Sequence, residues 1–218
     1  MNFEHNQKKP DNFYEDWKGQ FNVLPWMAYV SAIPHVIYIV TTLKEDGTPN
    51  AALEGWSSFT GEGDNFFVIM SGVIKTSHNY QNIRRDKEFC VNFLSADYLD
   101  NFKKSISENS DDIDEIKNSG FSSEQSVSIK VPRIKESFLK LECSFEWEKE
   151  LIPNSTNITI CGRIKHISVD QEFASSKVTE RYSKKSFVFH LMTMKNPYIA
   201  ERIIGGIGEI KVLKETEL

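Results

Sequence analysis

Between Leu139 and Glu148 the chain alternates apolar and polar side chains without a break. Leu139, Leu141, Cys143, Phe145 and Trp147 fall on one side; Lys140, Glu142, Ser144, Glu146 and Glu148 fall on the other. A period of two belongs to an extended strand with one buried face, the usual situation in an antiparallel sheet. The turn IPNST follows, and NITICGRIKHISV returns with Ile158, Ile160 and Ile164 in step. Ile167 is out of phase, so a bulge is expected in the Gly162–His166 region.

Further strand segments lie upstream. HVIYIVTTL (35–43) is β-branched and apolar on both faces, as a central strand is. Asp46-Gly47 signals a hairpin turn, and AALEGWSSFTG then reads as one return strand. DNFFVIMS and EFCVNFL (88–94) follow, and KSFVFHLM is a last strand near the end of the chain, before a short helix around NPYIAERII. Near the start, FYEDWKGQF suggests a short amphipathic helix.

Between the strands, residues 95–120 change character to a helical excursion. Ser95 is placed to cap one helix, the acids Asp111–Asp114 favour the start of a second, and Gly120 suits its stop. Hairpin-linked antiparallel strands with inserted helices predict a small β-barrel with helical decoration, a mainly β (α+β) fold. A doubly wound fold would alternate strand and helix throughout. The expected organisation is an N-terminal extension, 1–33, packing on a barrel domain, 34–218.

Charge and motifs narrow the function. With 26 basic against 31 acidic residues the net charge is −5, which gives a nucleic-acid partner no bulk support. No apolar run has the length of a membrane span, and the N-terminus lacks the apolar core of a signal peptide. Cys90, Cys143 and Cys161 are widely spaced, each in a strand segment, so buried free thiols and a reducing cytoplasm are expected. There is no P-loop and no GxSxG elbow. GGIG (205–208) is not a Rossmann fingerprint and reads as a turn. The five histidines stand singly and SDDIDE lacks the spacing of a calcium loop, so no metal site is expected.

Two polar clusters remain. In PNAALEGWSSFTG (49–61), Ala51, Ala52, Gly55, Ser57 and Ser58 leave backbone open to a flat heteroaromatic ring, which Trp56 can cover; the same residues also suit a plain strand at a barrel bend. In SGVIKTSHNYQNI (71–83), Thr76 or Ser77 starts a helix whose free N–H groups, with Lys75 and the Ser71 hydroxyl, suit an anion; the same residues also suit an ordinary cap beside a solvated lysine. A ring site one strand upstream of an anion site matches the two parts of a flavin mononucleotide.

These segments, in the order IYIVTTLKEDGTPNAALEGWSSF, SGVIKTSHNYQNI, EFCVNFLS, DDIDEIKNSGF and VPRIKESFLKLEC…ITICGRI, resemble the flavin reductase-like family with the FMN-binding split β-barrel fold. The resemblance covers about residues 34–170. It implies that Asn50, Ala51, Ala52, Trp56, Ser57 and Ser58 line the isoalloxazine, and that Ser71, Lys75, Thr76 and Ser77 take the phosphate. It further implies FMN as cofactor, NADH or NADPH as electron donor, a homodimer with flavin near the interface, and a possible redox partner protein. A flavin reductase needs no side chain as general acid or base, so no catalytic residue is named. An FMN electron carrier without a nicotinamide reaction fits the same residues, as does a non-catalytic flavin-binding module. His78 is expected as a solvent-exposed helix residue, and Tyr182, Phe189 and His190 are given no role.

Overall fold

The computed structural model describes residues 9, 11, 14–15, 17–23, 33–105, 110–191, 206–210 and 212–213. The chain forms two compact units, 1–35 with 189–208, and 36–188 with 209–218. In the smaller unit the helix Gln20–Val23 follows a turn at which the Phe21 N–H donates to Glu15 Oε1 (3.0 Å). Among the described residues of FYEDWKGQF, only Gln20 and Phe21 are helical. Gly206–Glu209 is a strand, so the described residues of GGIG, 206–208, are extended rather than forming the expected turn, and Gly206 lies close against Leu191. The helix expected around NPYIAERII lies outside the described residues.

The larger unit carries a seven-stranded sheet. Its strands are β1 (Tyr38–Leu43), β2 (Pro49–Glu54), β3 (Ser57–Glu62), β4 (Asn65–Ile74), β5 (Glu88–Phe93), β6 (Leu139–Lys149) and β7 (Asn157–Val169). The order β2-β1-β5-β6-β7-β4-β3 is antiparallel at every pairing. The two edge strands, β2 and β3, are consecutive in the chain and joined only by Gly55 and Trp56. So short a link brings the two edges to one place, which curls the sheet into a barrel split along a seam.

That seam corrects the expectation of a single strand over AALEGWSSFTG. Trp56 has φ 44°, a left-handed conformation that costs a bulky residue energy and turns the chain out of one edge and into the other. HVIYIVTTL is also divided: Ile37 leaves the pattern, its N–H donating to the Val188 carbonyl (2.9 Å). The expected bulge is present. The β6–β7 register shifts between Cys161 and Gly162 and again between Ile164 and His166.

The barrel interior holds Tyr38, Val40, Val68, Met70, Phe89, Val91, Leu141, Cys143 and Ile160. Gly162 is required here, because a Cβ at that position would collide with the Phe89 ring. Helix α1 (His78–Asp86) packs on β1 and β2 and sends Ile83 into the same core. On the outer side of β1 and β2, helices α2 (Leu99–Ser105) and α3 (Glu115–Asn118) bury Phe102 and Ile116 against Ile39, Ala51 and Ile134. Each such side chain contributes about 2 kcal/mol of burial. Asp114 caps α3 by accepting from the Lys117 N–H (3.0 Å), and Gly120 follows at φ +82°. The Ser95 hydroxyl makes no cap bond; it donates to Asp97 instead (3.0 Å).

The alternation in β6 holds, but its polar face is not solvated near Leu139. Lys140 and Glu142 are buried beneath the segment 122–134. Glu142 accepts from the Val127 and Ser128 N–H groups and from Arg133, while Glu124 bridges Arg133 and Lys140. At the far end of β6 the order reverses, and the apolar Trp147 is 44% exposed. All three cysteines are buried and free, as expected.

Candidate functional site

A cleft of about 420 Å³ opens where the edge strand β2, the end of β4 and the start of α1 converge. Residues 50–54 form one wall, with Gly72, Ile74, Ser77, His78 and Asn79 opposite, and Ser105 and Glu115 complete it from α2 and α3. That volume is in the range of small-ligand and cofactor sites.

The edge strand is the organising feature. The Ala51 N–H turns away from the sheet and donates to Glu115 Oε2 (2.9 Å). Main-chain direction alternates along a strand, so the N–H and C=O of Leu53 face the same free edge. Glu115 is held in turn by Lys44 at 3.0 Å, an ion pair whose side chains are 5–6% exposed. Lys44 Nζ also donates to the carbonyls of Ser110 (2.5 Å) and Ile113 (2.8 Å), which fixes α3 and its lead-in against the barrel. Asn50, with its amide oriented to donate, reaches both Glu115 oxygens (3.2 and 3.3 Å).

Side chains alternate the other way. Ala51 packs with the outer helices, while the partners Tyr38↔Glu54, Val40↔Ala52 and Thr42↔Asn50 share the inner face. Glu54 Oε1 there accepts from Asn79 Nδ2 (2.9 Å). Burial pushes the Glu54 carboxyl up to about 7, only partly offset by that bond. The Tyr38 phenol is held far above its usual value by burial.

The start of α1 is capped by Ser77. Its hydroxyl oxygen accepts from the Tyr80 N–H (3.2 Å) while its O–H donates to the Ile74 carbonyl (2.7 Å). The cap and the cleft wall are therefore one residue. His78 is not solvent-exposed as expected. It is half-buried in the cleft wall, with Nε2 3.0 Å from Asp111 Oδ1, because the first turn of α1 faces β2 rather than water.

Of the residues singled out in the sequence, the cleft brings together Asn50, Ala51, Ala52 and Ser77. Trp56 sits at the seam, accepting from the Ser71 N–H through its carbonyl (3.0 Å) with its ring over Gly72. A Cβ at Gly72, which has φ +81°, would stand 3.5 Å from that ring. Ser57 and Ser58 pair with Met70 and Ile69 and lie outside the cleft lining. The Ser71 hydroxyl accepts from Thr159 (3.5 Å), and Thr76 is exposed in the turn before the cap. Lys75 lies beside the cleft and forms an ion pair with Glu150 of the β6–β7 connection. Sequence reasoning missed Glu54, Asn79 and Glu115. Glu54 was accessible through its period-two phase with Asn50 and Ala52; Glu115 arrives from 64 residues downstream with no local signal.

Among the described residues no cluster of His, Cys, Asp or Glu can hold a metal ion, and no helix is long and apolar enough to cross a membrane.

A split antiparallel barrel with a ligand-sized cleft along its free edge defines a class of flavin-associated proteins, and comparisons with known proteins agree. Residues 30–187 match the family model described as "Flavin reductase like domain", and the chain belongs to that family. An uncharacterized protein of Aquifex aeolicus (strain VF5) is 27% identical over 157 residues, covering 70% of this chain and 78% of that protein. Among solved structures, nitrilotriacetate monooxygenase component B from Bacillus cereus is similar with a TM-score of 0.74 at 16% identity, each chain covered completely. Flavoredoxin from Methanosarcina acetivorans is similar at 0.65 and 20% identity, over 85% of this chain and 89% of that one. At these identities the solved structures establish the split-barrel fold.

Proposed function

We propose that this chain is an FMN-binding oxidoreductase, an NADH- or NADPH-dependent flavin reductase. The observation that carries the reading is the free edge of β2, where Leu53 presents main-chain donor and acceptor to a cleft of cofactor size. A heteroaromatic ring whose rim carries carbonyls and N–H groups matches such an edge, and the small side chains Ala51 and Ala52 let it approach. The site fits the cofactor in one further way: Asn79 Oδ1 is buried with no hydrogen-bond partner.

In this reading Asn50, Ala51, Ala52 and Leu53 hold the ring. The Lys75–Ser77 turn and the N-terminus of α1 hold the phosphate, with Ser71 in support. The Lys75–Glu150 pair is partly solvated and contributes little, so Lys75 is available to a phosphate. When bound, the flavin supplies the acceptor for a hydride from reduced nicotinamide. The protein's part is to orient the ring, exclude water and neutralise the phosphate. Exposed Trp56, Ile74, Leu151 and Ile152 favour a second copy of the chain close by, as in a homodimer. Buried, protonated thiols suit the cytoplasm.

Purification tests the reading. A flavin absorbance spectrum, or thermal stabilisation by added FMN, supports it; a colourless protein indifferent to FMN overturns it. Anaerobic mixing with NADH or NADPH then distinguishes a reductase, whose flavin bleaches within seconds, from an electron carrier, whose flavin does not.

A further inference from the structure

Two residues of the cleft wall, His78 and Asn79, carry buried polar atoms without a hydrogen-bond partner, Nδ1 and Oδ1. Asn79 is 1% exposed, and its amide is fixed in one orientation because Nδ2 donates to Glu54 Oε1 at 2.9 Å. That leaves Asn79 Oδ1, in a residue that lines the cleft, as a buried acceptor without a donor. An unmet buried acceptor costs about as much as a lost hydrogen bond, and sites tolerate one where a ligand supplies the donor. Glu54, its partner, lies on the inner face of the edge strand and lines the same cleft.

We infer that the Glu54–Asn79 pair makes filling of this cleft a proton-linked event: Asn79 Oδ1 accepts a hydrogen bond from the ligand, and Glu54 becomes neutral beneath it. The inference rests on the flavin reading, since a flavin offers both N–H and hydroxyl donors and ring acceptors. A ligand laid over Glu54 removes its remaining water, and desolvation disfavours the carboxylate. Once protonated, Glu54 keeps its bond from Asn79 through one oxygen and offers the other as an O–H donor to a ring carbonyl or nitrogen. The proton comes from solvent, and no covalent bond in the ligand changes.

The groups around Glu54 do not supply an alternative neutraliser. From β1 it faces Tyr38, from α1 the neutral Asn79 amide, and the β4 residues that share the cleft lining, Gly72 and Ile74, carry no charge. Glu115 across the cleft is matched by Lys44, His78 faces Asp111, and Lys75 faces Glu150. With the free carboxyl already titrating at about 7, a small further rise on binding falls in an accessible range.

Riboflavin is the probe, because it lacks the phosphate and keeps its charge across the range used. Its affinity is measured by quenching of flavin fluorescence from about pH 5.5 to about pH 8.5, with proton uptake from calorimetry in buffers of different ionisation enthalpy. For the unmodified protein, affinity should fall as pH rises through about 7, by roughly threefold per pH unit, with uptake of about half a proton. Glu54→Gln, which mimics the neutral carboxyl, should keep the low-pH affinity and lose both the slope and the proton uptake. Asn79→Ala should weaken binding by roughly fivefold at low pH. A flat profile in the unmodified protein that nevertheless binds riboflavin overturns the inference alone. So does a slope that persists in Glu54→Gln, which would place the titration at His78 or elsewhere. Failure to bind either FMN or riboflavin overturns the flavin reading and this inference with it.

Discussion

Replacing Lys44 by Met should be among the most damaging single changes in the molecule. The Lys44–Glu115 pair is almost fully buried, and Glu115 is the acceptor for the Ala51 N–H on the edge strand. Met keeps the length and apolar stem of lysine but removes the charge. Glu115 is then a buried carboxylate without its cation, and the carbonyls of Ser110 and Ile113 lose their charged donor. Removing one partner of a buried pair costs about 3–5 kcal/mol, a third or more of the stability of an ordinary domain. Adding Glu115→Gln to Lys44→Met removes the stranded charge while the amide oxygen still accepts from Ala51. The double variant should lose only about 1–2 kcal/mol, for the two carbonyls. Urea unfolding of Lys44→Met, Glu115→Gln and the double variant measures these losses, and the coupling is the double variant's loss minus the sum of the two single losses. A Lys44→Met cost below about 1 kcal/mol, or a double variant less stable than the single, would refute the view that this pair anchors the helical insertion to the cleft strand.

Gly162→Ala should destabilise by about 1–3 kcal/mol, because the added methyl meets the Phe89 ring; Phe89→Leu in the same chain should recover part of the loss, read as a shift in urea midpoint. Glu54 makes stability pH-dependent with a definite sign. Its folded-state value of about 7 lies above that of the unfolded carboxyl, so the folded state holds the proton more tightly and stability falls as pH rises from about 4.5 through 7. Glu54→Gln should therefore gain about 2–3 kcal/mol over the unmodified protein at pH 8 and almost nothing near pH 4.5, measured by denaturant unfolding at both values. Lys75→Ala combined with Thr76→Ala should weaken FMN more than riboflavin in equilibrium titrations; equal losses would mean that this turn does not hold the phosphate.

The strands were legible because their signal is local. Alternation in β6, the return of Ile158 and Ile160 in β7, and the phase slip that marks the bulge all follow from side chains on a pleated backbone. What could not be read there was partnership across distance. Lys140 and Glu142 look like a solvated face until residues 122–134 fold over them and satisfy their charges. AALEGWSSFTG looks like one strand because nothing in its composition says that its halves bond to opposite ends of a sheet; Trp56 at positive φ is a tertiary outcome that the propensity of tryptophan would not suggest. The site divides in the same way. The strand segment Asn50–Ala52 and the capping Ser77 are visible from small residues and helix-start chemistry. Glu115 belongs to the cleft only through a helix that the chain makes much later.

An unpaired strand margin recruits whatever can complete it. Along β2 the Ala51 N–H is already committed to Glu115, and the Leu53 groups face the same edge. A planar cofactor seated there would serve as a stopper as well as a reagent, denying the margin to the strand of another molecule. Flavin-depleted protein should accordingly self-associate more readily on storage than flavin-loaded protein at the same concentration. The cofactor's supply would then govern how long the polypeptide stays in solution, apart from any electrons it carries.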